Sequence, residues 1–312
     1  MNKEILIFGT SYMGEEYLKL FKDLNYQGTI IGRDEKKATS IGDKYAFKGM
    51  GGGIDSIKEL NPSNFDLVVI ASAIESLKDI AIECLKKGFN KVLIEKPGAL
   101  NTKELTEIKK HKKDNQEIWI AYNRRYFAST LKIREIMEKE TTQACFFDFT
   151  DREKDIILTD KSILVKNNWG FANSSHVIDM AFFLIGLPSK IESMRSGSMT
   201  QHPLGTTFVG HGSTKLCLFS YFATWSGGGR WNVEISTEKG RYKLSPLEEL
   251  HFCEKNQFSW SKIKLNNQDD IDFKPGLKKM VESVLKEGDI LLPTLEDQIK
   301  LGDVANQIFG YN

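Results

Sequence analysis

Ile5-Leu6-Ile7-Phe8-Gly9-Thr10-Ser11-Tyr12-Met13-Gly14 is the stretch on which the reading of this chain turns. Its apolar run suits a strand covered on both faces, and it passes through a glycine turn straight into a helical pattern. A dinucleotide-binding turn reads GxGxxG at this place. The first glycine makes the tight turn, the middle one admits the pyrophosphate, and the third lets the helix pack on the strand. Here the middle glycine is Ser11. Gly9 and Gly14 keep the two structural places, and Thr10, Ser11, Tyr12 and Met13 open a helix whose free N–H groups and positive dipole end suit an anion. An ordinary strand-to-helix turn is the plain alternative, and the position at the first βα junction of a series argues against it.

That series extends to residue 122. Short, β-branched strands are predicted at Ile5–Phe8, Thr29–Ile31, Leu67–Ala71, Val92–Ile94 and Ile118–Ala121, with amphipathic helices between them, the signature of a doubly wound parallel sheet. Asn101 stands three residues before Glu104, which predicts a helix start there, running to His111. Beyond about residue 140 longer alternating runs predict an antiparallel sheet, at Ala144–Phe149, Lys215–Trp225, Trp231–Thr237 and Arg241–Leu244. Helices interrupt it from Ser174 to Ile185 and from Leu277 to Lys286. The expectation is therefore an α/β chain: a Rossmann domain over 1–122, then an α+β domain over 123–312 with an open, mostly antiparallel sheet that binds substrate and mediates oligomerisation. The aromatic run Phe219, Tyr221, Trp225 and Trp231 has strand spacing and reads as sheet packing or a subunit interface.

Composition narrows the function. With 312 residues, 40% of them hydrophobic, and a net charge of +1, the chain can build sizeable cores but offers no global field for nucleic acid or an anionic membrane. Cys84, Cys145, Cys217 and Cys253 stand far apart, with neither zinc-site spacing nor a disulfide framework, so a reducing compartment and no metal are expected. No apolar stretch approaches the ~20 residues of a membrane helix, and no export signal is visible, so the expected location is cytoplasmic. The second strand ends at Gly32-Arg33-Asp34, where an acidic residue usually meets the ribose of NAD. Arg33 can instead grip a 2′-phosphate, so NADP(H) is expected over NAD(H), although Asp34, one residue on, can shift into the ribose position.

Three further motifs follow in order: Glu95-Lys96-Pro97 after a strand, Tyr122-Asn123-Arg124-Arg125-Tyr126 after the next, and His176-Val177-Ile178-Asp179 on a later helix. Together with the Rossmann start they resemble the glucose–fructose oxidoreductase / inositol dehydrogenase / MocA family. The resemblance implies hydride transfer at a carbon of a sugar, polyol or nucleotide-sugar, with Lys96 as the proton-handling residue and His176 as its partner. Chemistry agrees with these choices. Oxidising an alcohol or reducing a ketone moves a hydroxyl proton as well as a hydride, and Lys96 follows a buried strand at the carboxyl edge of the sheet, where open α/β folds bind ligands. His176 lies in the first turn of its helix, where the dipole favours a neutral ring.

Ser72 and Glu95 join the expected cofactor contacts. Asn123, Arg124, Trp169, Asn173 and Asp179 are the expected substrate contacts. For Asn123 and Arg124 a structural role at the domain junction is the alternative, and Asp179 at i+3 from His176 can equally secure its helix. The chain departs from the family where D-x-G usually precedes the histidine, carrying Ala172 and Ser174. Ser72-Ala73-Ile74 stands in place of threonine-proline-asparagine, and Leu77 in place of a usual histidine. The missing carboxylate gives some footing to a non-catalytic dinucleotide-binding regulator, and a reductase of a non-sugar carbonyl or imine is a second alternative. Expected partners are a sugar-like small molecule and further copies of the chain, in a homodimer or homotetramer.

Overall fold

The computed structural model describes residues 4–286 and 288–311. Two compact units divide it, one of residues 1–122 and 272–299, the other of 123–271 and 300–312.

The first unit alternates β1 (Glu4–Phe8), α1 (Tyr12–Asp23), β2 (Gly28–Ile31), α2 (Glu35–Tyr45), β3 (Lys48–Met50), β4 (Phe65–Ile70), α3 (Ile74–Lys87), β5 (Lys91–Glu95), α4 (Thr102–His111) and β6 (Glu117–Ala121). Its six strands are ordered β3-β2-β1-β4-β5-β6 and every pairing is parallel. Ile5, Leu6, Ile7 and Val69 in the middle of the sheet are fully buried, as strands shielded on both faces require. Order reverses between β1 and β4, the switch point at which open sheets of this kind leave a ligand crevice. Asn101 caps α4 by accepting the Glu104 N–H, and Glu104 in turn accepts the Leu100 N–H, so the predicted helix start is realised by a reciprocal cap.

The second unit holds α5 (Ala128–Met137), β7 (Thr142–Asp148), α6 (Glu153–Leu158), α7 (Ile163–Asn167), α8 (Ser175–Ile185), β8 (Lys190–Ser196), β9 (Thr207–Ser213), β10 (Leu218–Thr224), β11 (Asn232–Thr237), β12 (Gly240–Leu244), β13 (His251–Glu254) and β14 (Ser261–Lys262). The strands form one eight-stranded sheet, β14-β13-β12-β11-β7-β10-β9-β8, antiparallel except for β7 beside β10. Side chains alternate along it. Phe147, Phe219 and Tyr221 face inward, and Phe182 of α8 packs edge-on against Phe147 and Phe219 at 5.5 and 5.3 Å. The aromatic run is thus mostly sheet packing: Phe219, Tyr221 and Trp225 are buried within the unit, whereas Trp231 is not.

The expectation of an unbroken second domain over 123–312 needs correction. After α9 (Gln268–Asp272) the chain rejoins the first unit through α10 (Leu277–Leu285) and the start of α11 (Leu295–Phe309). The cause lies at the edge strand β6, which would otherwise leave backbone groups unpaired. Ile120 N–H donates to Pro293 O at 3.0 Å, Trp119 bridges to Thr294, and the buried Gln298 amide donates to Pro97 O and the Tyr122 hydroxyl at 2.9 and 3.1 Å.

Candidate active site

In the first unit a cavity of about 730 Å³ opens at the switch point, and Gly9, Thr10, Ser11, Arg33 and Ser72 all line it. Backbone geometry builds it. Gly9 has φ +114°, and a Cβ there would overlap Ala71 O; a Cβ on Gly14 would overlap Gly9 O. Both glycines are therefore obligatory. Ser11 sits in extended backbone at φ −93°, which any residue adopts, so the backbone itself demands no glycine at the middle position. Its hydroxyl donates to Ala71 O at 3.3 Å, drawing the head of α1 to the end of β4. Gly9, Thr10 and Ser11 carry the cavity lining up to the start of α1, and the free N–H groups of a helix end are a donor set that fits a dinucleotide pyrophosphate.

At the rim Arg33 is exposed beside Gly52, Gly53 and Lys37. Asp34, by contrast, is engaged as the cap of α2, accepting the Lys37 N–H at 2.8 Å. The carboxylate that competed with Arg33 for the ribose position thus has a local task.

Tyr12, Met13, Gly14 and Glu95 do not line this cavity. Tyr12 is 64% exposed, with the Lys274 ammonium over its ring at 5.0 Å. Glu95 ends β5 and accepts the buried Tyr17 hydroxyl at 2.8 Å. Burial pushes its carboxyl up, while Tyr17, Lys96 and Lys274 pull it down. Lys96 follows at the carboxyl end of the strand, half-buried and joined to Pro97 by a cis peptide bond. Lys274 and Tyr17 belong to this neighbourhood although no motif pointed to them. Lys274 comes from the returning segment, 178 positions from Lys96, and Tyr17 looks in sequence like any core residue of a helix.

The second unit brings together another group. Arg124, Asp151, Arg152, Arg230 and Trp231 line a cavity of about 460 Å³. The Arg124 guanidinium lies over the Trp231 ring at 5.1 Å, and the His176 ring lies 6.0 Å from the same indole. Trp169 and Asn173, the expected substrate contacts, both donate to Asp151. Trp169 Nε1 donates to it at 2.8 Å, Asn173 Nδ2 at 3.1 and 3.2 Å, and Ser174 Oγ at 3.1 Å. Burial pushes the Asp151 carboxyl up, opposed by these donors and by Trp231. Asp151 carried no signal of its own: it follows Thr150 at a strand end, and its partners lie about twenty residues on.

Asp179 is a clear correction. It is fully buried and held by Arg125, whose Nη2 and Nε lie 2.6 and 3.0 Å from its oxygens, so it fastens α8 and offers nothing to a substrate. Asn123 is buried as well, while Arg124 reaches the cavity. Among the described residues no cluster of three or more His, Cys, Asp or Glu side chains can hold a metal ion, and no helix is long and apolar enough to cross a membrane.

Residues 3–122 match the sequence model of an oxidoreductase family with an NAD-binding Rossmann fold. No curated protein matches the chain. Among solved structures, UDP-N-acetylglucosamine 3-dehydrogenase from Acidithiobacillus ferrooxidans superposes with a TM-score of 0.78 at 12% identity, over 99% of this chain and 97% of that one. A levoglucosan dehydrogenase in complex with NADH gives 0.78 at 17% identity, over 99% and 96%. An oxidoreductase from Agrobacterium radiobacter, in complex with NAD+, L-tartaric acid and magnesium, gives 0.76 at 12%, over 98% and 95%. At such identities the likeness is one of fold.

Proposed function

We propose, from the match of residues 3–122 to the glucose–fructose oxidoreductase / inositol dehydrogenase / MocA family model, that this chain is an NAD(P)-dependent dehydrogenase or reductase acting on a CH–OH carbon of a sugar, polyol or nucleotide-sugar. The observation that carries the reading is the cavity at the switch point, whose glycine turn and helix N-terminus suit a dinucleotide. The sugar-type neighbours in fold support the substrate class.

A bound nicotinamide supplies or accepts the hydride. The chain's own residues do the rest. Gly9, Thr10, Ser11 and Ser72 cradle the dinucleotide, Lys96 exchanges the hydroxyl proton at the carboxyl end of β5, and His176 is the proton-handling residue of the second unit. Arg124 and Trp231 hold the substrate in the second unit. Arg33 selects NADP(H), a choice favoured by the engagement of Asp34 in its cap.

The same reading includes a closed dimer or tetramer. Met194, Val209 and Phe222 stand opposite one another on β8, β9 and β10 and point away from the covered face, Met194 with 73% of its surface exposed. It also includes a cytoplasmic setting, in keeping with four free, buried cysteines. The test is a panel of sugars, polyols and nucleotide-sugars assayed with NADPH and NADH by nicotinamide absorbance. Turnover of at least one hydroxylated substrate is expected. If none turns over while a carbonyl or imine is reduced, the substrate class is wrong; if nothing turns over although the dinucleotide binds, the regulator is right.

A further inference from the structure

His176 is delivered by an unusual piece of chain. Gly170–Ser174 winds as one wide π-helical turn directly into α8, so a single residue, Ser175, separates it from His176. Wide turns of this kind sit frequently at functional sites. Its side chains converge on one group, since Trp169, Asn173 and Ser174 all donate to Asp151, which arrives from the end of β7. The family pattern places a carboxylate at the position of Ala172 inside this very turn. Here the carboxylate comes from across the fold.

We propose that Asp151 is the positioning carboxylate of His176, fixing the π turn from outside and filling the place left by Ala172. This rests on the oxidoreductase reading for its role in turnover, but its structural content stands apart from that reading.

Two carboxylates hold α8, and they differ in kind. Asp179, one turn beyond His176, is sealed and neutralised by Arg125. Asp151 is met directly by neutral donors only, and it lines an open cavity, so its charge responds to solvent and to whatever enters. The charged groups that line the same cavity are Arg124, Arg152, Asp155, Arg230 and Glu248. Arg152 and Asp155 pair with each other. Protonation turns one accepting site of Asp151 into a donor and removes the negative charge that Trp169, Asn173 and Ser174 meet, so each of these bonds weakens. The turn is then held less firmly, and His176 with it.

The experiment follows indole and imidazole signals in the full-length protein by NMR as pH is varied, in the parent, Asp151→Asn and Asp151→Glu. In the parent, the Trp169 indole N–H should shift with one carboxyl titration and His176 should show a single ring environment. In Asp151→Asn the Trp169 titration should vanish and the His176 ring signals should move or broaden. Asp151→Glu should restore part of both. NADPH binding, a property of the first unit, should be unchanged in both variants. With a substrate from the panel, kcat of Asp151→Asn should fall on the order of tenfold or more with KM nearly kept, and its acid limb should shift. Should Asp151→Asn fail to fold, Asn173→Ala and Ser174→Ala each remove one donor, and the Trp169 and His176 signals are read in the same way. His176 signals identical in a folded Asp151→Asn and the parent would overturn the proposal. Absence of turnover with every substrate would count against the oxidoreductase reading alone, because the His176 signals judge Asp151 without any substrate.

Discussion

The two units build their sites by opposite means. In the first, the backbone does the work: Gly9 and Gly14 permit a turn that any side chain would block, and the helix end beyond it offers N–H groups with no side chain required. In the second, side chains do it, with Asp151 drawing in Trp169, Asn173 and Ser174, and Arg125 holding Asp179. A backbone-built site tolerates change around it and announces itself as a short motif. A site built by distant side chains can trade one carboxylate for another, as Asp151 for the position of Ala172, and leaves little trace along the chain.

If that contrast is right, the largest stability loss belongs to the second unit. Arg125→Met leaves the Asp179 carboxylate buried without its partner, and the cost should be about 3–5 kcal/mol, measured by denaturant unfolding. A loss below about 1 kcal/mol would mean that the pair is dispensable to α8.

Chemistry should separate from cofactor binding in the first unit. Lys96→Met should slow turnover on the order of a hundredfold or more, with dinucleotide affinity nearly kept. A double variant with His176→Ala tests whether the two residues act together, which strong non-additivity in kcat would show. A kcat within a few-fold of the parent would remove Lys96 from the mechanism.

The side-chain networks of the second unit also predict a pH response. His202 is fully buried, with Nδ1 2.7 Å from Gly205 O and Nε2 2.7 Å from the Tyr311 hydroxyl, which in turn accepts the Gly170 N–H at 3.0 Å. Burial holds the His202 imidazole below its ordinary value. The unfolded chain therefore takes the proton first. Stability is full above about pH 6.5 and should fall by about 1.4 kcal/mol per pH unit below it, levelling off once the folded form protonates too. Unfolding curves at about pH 7 and about pH 5.5 should show this loss in the parent and not in His202→Gln.

The smallest effect is expected at the rim of the first cavity. Arg33→Ala should weaken NADPH by roughly tenfold and NADH hardly at all, the scale of one charge-assisted contact. Tighter binding of NADH than NADPH by the parent would overturn the NADP(H) preference.

The same contrast explains what could be read from residues alone. The parallel sheet was legible because its strands are continuous apolar runs, and Gly9 to Gly14 carry their conformational demand in their identity. The strands β8 and β9 were not, since Lys190–Ser196 is largely exposed, Thr207–Ser213 is mostly half-buried, and together they mix charged residues and glycine into the alternation. The return of 272–299 was hidden for another reason: edge-strand pairing by Pro293 and Thr294 is a backbone contact with no pattern of its own. Lys96, His176 and Arg124 were named from motifs, and of these Arg124 lines the cavity of the second unit. Asp151 was not, because what distinguishes it is the set of three donors that the fold brings to it. Trp169, Asn173 and Asp179 were expected to contact substrate; the partners of all three were invisible in sequence, and Arg125 assigns the fully buried Asp179 to holding α8.

The central claim is that dinucleotide affinity resides in the backbone N–H groups at the head of α1. Ser11→Asp tests it most directly. Aspartate at a helix start is favoured by the dipole but cannot donate to Ala71 O as the Ser11 hydroxyl does, so the melting temperature is measured beside binding to establish that the variant is folded. The added negative charge stands where the pyrophosphate would lie, so calorimetric titration should show NADPH and NADH affinity reduced at least about tenfold in the folded variant. Equal affinity of the parent and a folded Ser11→Asp for both dinucleotides would contradict the account.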